Sequence, residues 1–182
     1  MHVLALSGSL RQASINSAFC RAAARLATAP LRVQVYAGLG ALPLFNPDLE
    51  AQPPAAVQDL RAAVARADAL LIASPEYAHG VSGVMKNALD WLVSDEGVVG
   101  KPVALVNTSP RAHHAYESLS EVLCTMSTTR VADASIAVPL LGGCVTEEAM
   151  LESPQACGAI RAVLAALVAY QPISASHSPA RS

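Results

Sequence analysis

Short blocks of nearly unbroken apolar residues alternate along this chain with stretches whose apolar residues recur at helical spacing. The blocks are Val3 to Leu6, Leu31 to Tyr36, Ala69 to Ala73, Pro102 to Val106 and Ser135 to Val138. A short apolar run without in-out alternation is what a strand shows when both its faces are covered. Pro102, first in its block, is compatible with a strand start. Between the blocks, Ile15, Phe19, Ala22, Ala23 and Leu26 mark one helical face, and Val57, Leu60, Val64 and Ala67 a second. Val81, Val84, Met85, Ala88, Leu89 and Leu92 mark a third. Tyr116, Leu119, Leu123 and Met126 mark a fourth, and Ile160, Val163, Leu164, Leu167 and Val168 a fifth.

Strands alternating with helices over short connections build a parallel sheet covered on both sides. The pattern predicts an α/β fold: a flavodoxin-like, doubly wound five-stranded parallel sheet of order 2-1-3-4-5 with helices on both faces. Ligands of such sheets sit beyond the carboxyl ends of the strands, where the strand order reverses. Here those ends are the loops beginning at Ser7, Ser74 and Thr108. No internal repeat or domain boundary is visible, so residues 1–173 read as one domain. Residues 174–182, rich in Ser, Pro and Ala, read as a disordered tail.

Composition narrows the function classes. A net charge of −2 with scattered lysines and arginines offers no nucleic-acid footprint. No apolar run reaches the ~18–20 residues of a membrane span, and no basic leader precedes the first block, so a cytoplasmic location is expected. Cys20, Cys124, Cys144 and Cys157 form neither a CxxC pair nor a zinc spacing and read as small buried hydrophobes. The histidines show no ligand pattern either, and no metal is expected. With 53% hydrophobic and 14% charged residues, the chain is apolar enough to suggest buried surface between subunits.

The loop after the first block carries Ser7, Ser9, Ser14 and Asn16 around Arg11. It leads into a helix, whose start offers unpaired N–H groups and partial positive charge. A helix cap needs one such side chain, not four. The set suits an anion of several oxygens, such as a phosphomonoester. No Gly-Lys-Ser/Thr triplet is present, and Gly8 stands alone, so neither the ATP-type loop nor the dinucleotide fingerprint applies. In the second loop, Pro75 and Gly80 restrict the chain, Glu76 and Tyr77 precede the helix, and a flat heteroaromatic ring can lie against them. Trp91 reads as core or as a subunit contact.

Residues 8–16, GSLRQASIN, and residues 75–91, PEYAHGVSGVMKNALDW, resemble two motifs of the NADPH-dependent FMN reductase family, G-S-L-R-x-x-S-x-N and P-E-Y-N-x-x-x-P-G-x-L-K-N-A-x-D-W. A weaker echo runs from Gly100 to Ala104 and on to Ser109-Pro110. The resemblance covers residues 2 to 170. It implies FMN, with Ser9, Arg11, Ser14 and Asn16 holding its phosphate and the neighbouring Ile15 joining the site. It further implies Pro75, Glu76, Tyr77 and Ala78 along the isoalloxazine ring, with Ser109 and Arg111 on the loop covering its other edge. Three departures from the family stand out: Ala78 replaces Asn, Ser82 replaces Pro, and Arg111, Ala112, His113 and His114 stand where glycines are common.

The resemblance further implies NADPH or NADH as co-substrate, a quinone, flavin, azo dye or similar small molecule as acceptor, and a homodimer or homotetramer. The chemistry resides on the flavin, so no catalytic side chain is expected. Arg111 with His113 or His114 is a candidate for the adenosine phosphate of NADPH. The alternatives are a flavodoxin-type electron carrier, against which the low charge speaks, and a flavin-free binding module on the same fold.

Overall fold

The computed structural model describes residues 1–109, 113–138, 140 and 144–170. Strand β1 (His2–Ser7) runs into helix α1 (Ile15–Leu26), then β2 (Arg32–Val35), α2 (Ala55–Arg66) and β3 (Ala69–Ala73). A two-stranded hairpin, β4 (Glu76–Tyr77) and β5 (Gly80–Val81), precedes α3 (Gly83–Leu92) and β6 (Pro102–Val106). The chain continues through α4 (His113–Thr125), β7 (Thr129–Arg130), α5 (Glu147–Glu152) and α6 (Pro154–Ala169). The main sheet is parallel, of order β2-β1-β3-β6-β7. With the hairpin set aside this is the 2-1-3-4-5 order, and its reversal lies between β1 and β3.

Side chains alternate across the sheet and divide the core. Val3, Ala5, Ala73 and Ala104 face α1, α5 and α6, where Phe19, Met150 and Ile160 meet them. These small sheet residues leave room for the alanine-rich face of α1. Leu4, Leu6, Leu70, Ile72 and Leu105 face the other way, toward Leu60 of α2, Met85 and Leu89 of α3 and Leu119 of α4. Trp91 is fully buried here. Its Nε1 donates to the Pro43 carbonyl at 2.8 Å, and Phe45 meets its ring edge-on with centroids 5.0 Å apart.

Three expectations change. The fifth strand is Thr129–Arg130, paired with Pro102 and Val103, not Ser135 to Val138. A turn at Ala132–Ala134 interrupts the edge, and the later segment returns only as a bridge between Asn107 and Ala137. Val81 belongs to the hairpin rather than to the helix. Cys124 is exposed and Cys144 half-buried, whereas Cys20 and Cys157 are buried as expected. The tail, residues 174–182, lies outside the described residues. Among the described residues no helix is long and apolar enough to cross a membrane.

Candidate functional site

Three loops meet at the carboxyl ends of β1, β3 and β6. The first leaves β1 at Gly8, whose N–H donates to the Ala73 carbonyl at 2.9 Å. A Cβ on Gly8 would overlap the Ser74 hydroxyl and stand 2.8 Å from Ser82 Oγ, so only glycine lets the first and second loops pack this closely. Ser82 Oγ donates to the Gly8 carbonyl at 2.6 Å and caps α3 by accepting the Met85 N–H at 3.3 Å.

Farther along, Ser9 Oγ accepts the Arg11 N–H at 3.4 Å, which leaves the hydroxyl proton free to donate. Ser14 is the N-cap of α1 and accepts the Ser17 N–H at 3.3 Å. Buried Asn16 receives the Thr108 hydroxyl on its Oδ1 at 2.8 Å, so its NH2 group remains as a donor. Arg11 is exposed and makes no ion pair among the described residues. The loop thus presents a full positive charge beside a helix start and several hydroxyl and amide donors.

On the opposite wall, β4 and β5 form a two-residue hairpin turn at Ala78 and His79, with φ of 49° and 59°. That geometry ordinarily selects Asn-Gly. Both Glu76 oxygens are engaged: Oε2 accepts the Ala115 N–H in the first turn of α4 at 2.9 Å, and Oε1 lies 3.5 Å from His79 Nδ1. The rings of His79 and His114 meet edge to face, 4.5 Å between centroids. Glu76 therefore straps the hairpin to α4, and the tip of the hairpin leans on the same helix.

These loops enclose a two-lobed cleft. One lobe, of about 290 Å³, lies among Ile15, Asn16, Ser74, Pro75, Glu76, Thr108 and Ser109. The other, of about 450 Å³, shares Ile15, Asn16 and Pro75 and extends to Ser9, Arg11, Ser14, Tyr77 and Val145. Volumes of this order suit a small-molecule ligand. Of the residues named from the sequence, Ala78 stays out of the lining at the exposed hairpin tip, and Arg111 lies outside the described residues. Ser74 and Thr108, named from the sequence only as loop starts, join the lining, as does Val145, which was not named. A strand-end hydroxyl was a readable signal for the first two, and Val145 had none. A separate recess of about 490 Å³ lies at the opposite end of the sheet, among Leu26, Pro30, Leu31, Leu164 and Val168. Its lining is mostly aliphatic, with Thr28 and Arg161 the polar side chains in it.

Strand order and cleft together define a flavodoxin-like α/β protein with a donor-rich loop at the switch point of its sheet. The chain belongs to the NADPH-dependent FMN reductase family, which it matches over residues 1–140. It is 36% identical over 113 residues to a quinone reductase of Escherichia coli, a match covering 60% of each protein. It is 40% identical over 110 residues to an NAD(P)H-dependent FMN reductase of Pseudomonas aeruginosa, covering 59% of each. The matched part of the chain thus spans less than two thirds of these relatives' length. Among solved structures, the FerB flavoenzyme of Paracoccus denitrificans, an NAD(P)H:(acceptor) oxidoreductase, superposes with a TM-score of 0.75 at 28% identity, covering 92% of this chain and 97% of that one.

Proposed function

We propose that this protein is an NAD(P)H-dependent FMN oxidoreductase that passes reducing equivalents to a quinone, flavin, azo compound or similar small acceptor. The observation that carries the reading is the continuity of the cleft from the Arg11 loop to the Pro75–Tyr77 wall. A phosphomonoester at one end and a flat ring at the other need that layout. The donor set fits FMN: one cation, the Ser9 hydroxyl and the Asn16 amide converge at the start of α1, while Pro75 and Tyr77 offer an apolar wall beside Ser109. Membership of the family and the relatives named above support the same assignment.

When bound, FMN supplies the hydride acceptance from NAD(P)H and the electron release to the acceptor. The chain's own part is to bind and orient. Arg11 and Ser9 hold the phosphate, with Ser14 fixing the start of α1 beneath it. Asn16, locked by Thr108, sets the inner edge of the cleft. Glu76 acts through the position of the hairpin, because both of its oxygens are already occupied. Arg111 with His113 or His114 would meet the adenosine phosphate of NADPH, His114 being braced by the ring of His79. Exposed Leu10 and Leu44, at 63% and 83%, support assembly into a homodimer or homotetramer.

The experiment is spectroscopic and kinetic. The purified protein is titrated with FMN and then mixed with NADPH or NADH and a quinone. Uptake of FMN with steady turnover of nicotinamide and quinone is expected. Uptake without quinone turnover would make the protein an electron carrier, and absence of uptake would remove the flavin assignment.

A further inference from the structure

We propose that Ser82 and Ser17 are positioning residues that turn the backbone N–H groups of Ser9 and Leu10 toward the bound anion. The inference rests on reading the first loop as the FMN phosphate site. It concerns how that loop is built in this chain, where Ser82 occupies a position at which the family motif has proline.

Each hydroxyl has one proton and two lone pairs. Ser82 is 2% exposed. It gives its proton to the Gly8 carbonyl at 2.6 Å, accepts the Met85 N–H, and stands 3.2 Å from Ser74 Oγ, whose proton it can receive. Ser17 repeats the pattern one peptide farther on. It donates to the Ser9 carbonyl at 3.4 Å and lies 2.8 Å from the Ser7 hydroxyl. Two consecutive carbonyls, those of Gly8 and Ser9, are thereby drawn toward hydroxyls packed beneath the loop.

A trans peptide points its C=O and N–H in opposite directions. The only cis bond among the described residues is Ala29–Pro30, so the Gly8–Ser9 and Ser9–Leu10 peptides are both trans. Drawing the two carbonyls inward turns the N–H groups of Ser9 and Leu10 outward, to the side where Ser9 and Arg11 line the cleft. Among the described residues neither N–H donates to another group. Successive outward N–H groups make a concave anion site. A proline at position 82 has no hydroxyl with which to hold the Gly8 carbonyl.

The test compares FMN with riboflavin, which shares the ring and lacks the phosphate. Wild type, Ser82→Ala, Ser17→Ala and Ser82→Thr are titrated with both ligands. Each alanine variant is expected to weaken FMN about tenfold, close to the lower worth of a single hydrogen bond to a charged group, while riboflavin affinity stays within about twofold. Ser82→Thr is expected to keep the wild-type FMN affinity. Parallel loss of both ligands would reduce the hydroxyls to general support and overturn the proposal, as would unchanged FMN binding. Should loss of the α3 cap prevent Ser82→Ala from folding, Ser17→Ala, which leaves that cap intact, decides alone. If the wild-type protein itself fails to prefer FMN over riboflavin, the phosphate reading falls, and that outcome is separate from any variant effect.

Discussion

Thr108 Oγ1 donates to Asn16 Oδ1 at 2.8 Å, and each residue is only 3% exposed. This single hydrogen bond ties the first turn of α1 to the loop after β6, and so holds two walls of the cleft at a fixed separation. Thr108→Val removes the donor while keeping the shape and leaves a buried carbonyl oxygen unpaired. We expect a loss of about 1–3 kcal/mol in urea unfolding, with Thr108→Ser close to wild type. An undiminished midpoint in Thr108→Val would show that the contact contributes nothing.

Among the described residues lining the cleft Arg11 carries the one positive charge, and it is exposed and makes no ion pair. Arg11→Ala should therefore leave thermal stability unchanged while raising the FMN dissociation constant roughly tenfold or more, as expected for a hydrogen bond to a charged group. Raising the ionic strength should weaken FMN binding in the wild-type protein and do so less in the variant. Equal salt dependence in the two proteins would remove Arg11 from the site.

Ala78 sits at φ 49°, a region that costs an ordinary L-residue about 1–2 kcal/mol. Asparagine tolerates it better. Ala78→Asn should stabilise the protein by roughly 0.5–1 kcal/mol, which for a chain of this size is about 1–4 °C in Tm. Calorimetry decides the matter, and a lower Tm would mean that the turn is not under strain.

The buried Cys20 thiol is pushed up from 9.0 to about 12 by the loss of solvent, opposed by the Arg21 charge. The unfolded chain releases this proton first as pH rises, so the folded state binds more protons between those values and loses stability there. The expected slope from this group is about 1.4 kcal/mol per pH unit. Cys20→Ala should flatten the alkaline fall in unfolding free energy by that amount. At pH 8 a thiol reagent should label exposed Cys124 rapidly and Cys20 only on unfolding. Fast Cys20 labelling would contradict its burial.

The architecture was readable because each central strand is apolar throughout and each main helix keeps one apolar face, as Leu70 to Ala73 and Ile15 to Leu26 do. The first loop was readable for a different reason: Ser9, Arg11, Ser14 and Asn16 are too many polar donors for a cap. The hairpin at Glu76–Val81 was not, since its strands have two residues each and its turn is Ala-His rather than Asn-Gly. The fifth strand was misplaced because Ser135 to Val138 carries the β-forming residues, whereas pairing with Pro102 and Val103 falls to Thr129 and Arg130. Register along β6 decided that choice, and no local propensity reports register. Glu76 was assigned to the flavin ring from the motif. Its engagement by Ala115 and His79 depends on a helix that begins 37 residues later and could not be read from the segment itself.

Both margins of the main sheet are poor templates for another chain. One ends on the two-residue strand Thr129–Arg130 and the interrupted segment after it, and the other on four residues that turn Arg32 and Gln34 outward. Strands so brief, each with an arginine, resist extension by a foreign strand. Strand addition at either margin is thereby disfavoured, which leaves helix and loop surfaces as the faces open to a second copy of the chain.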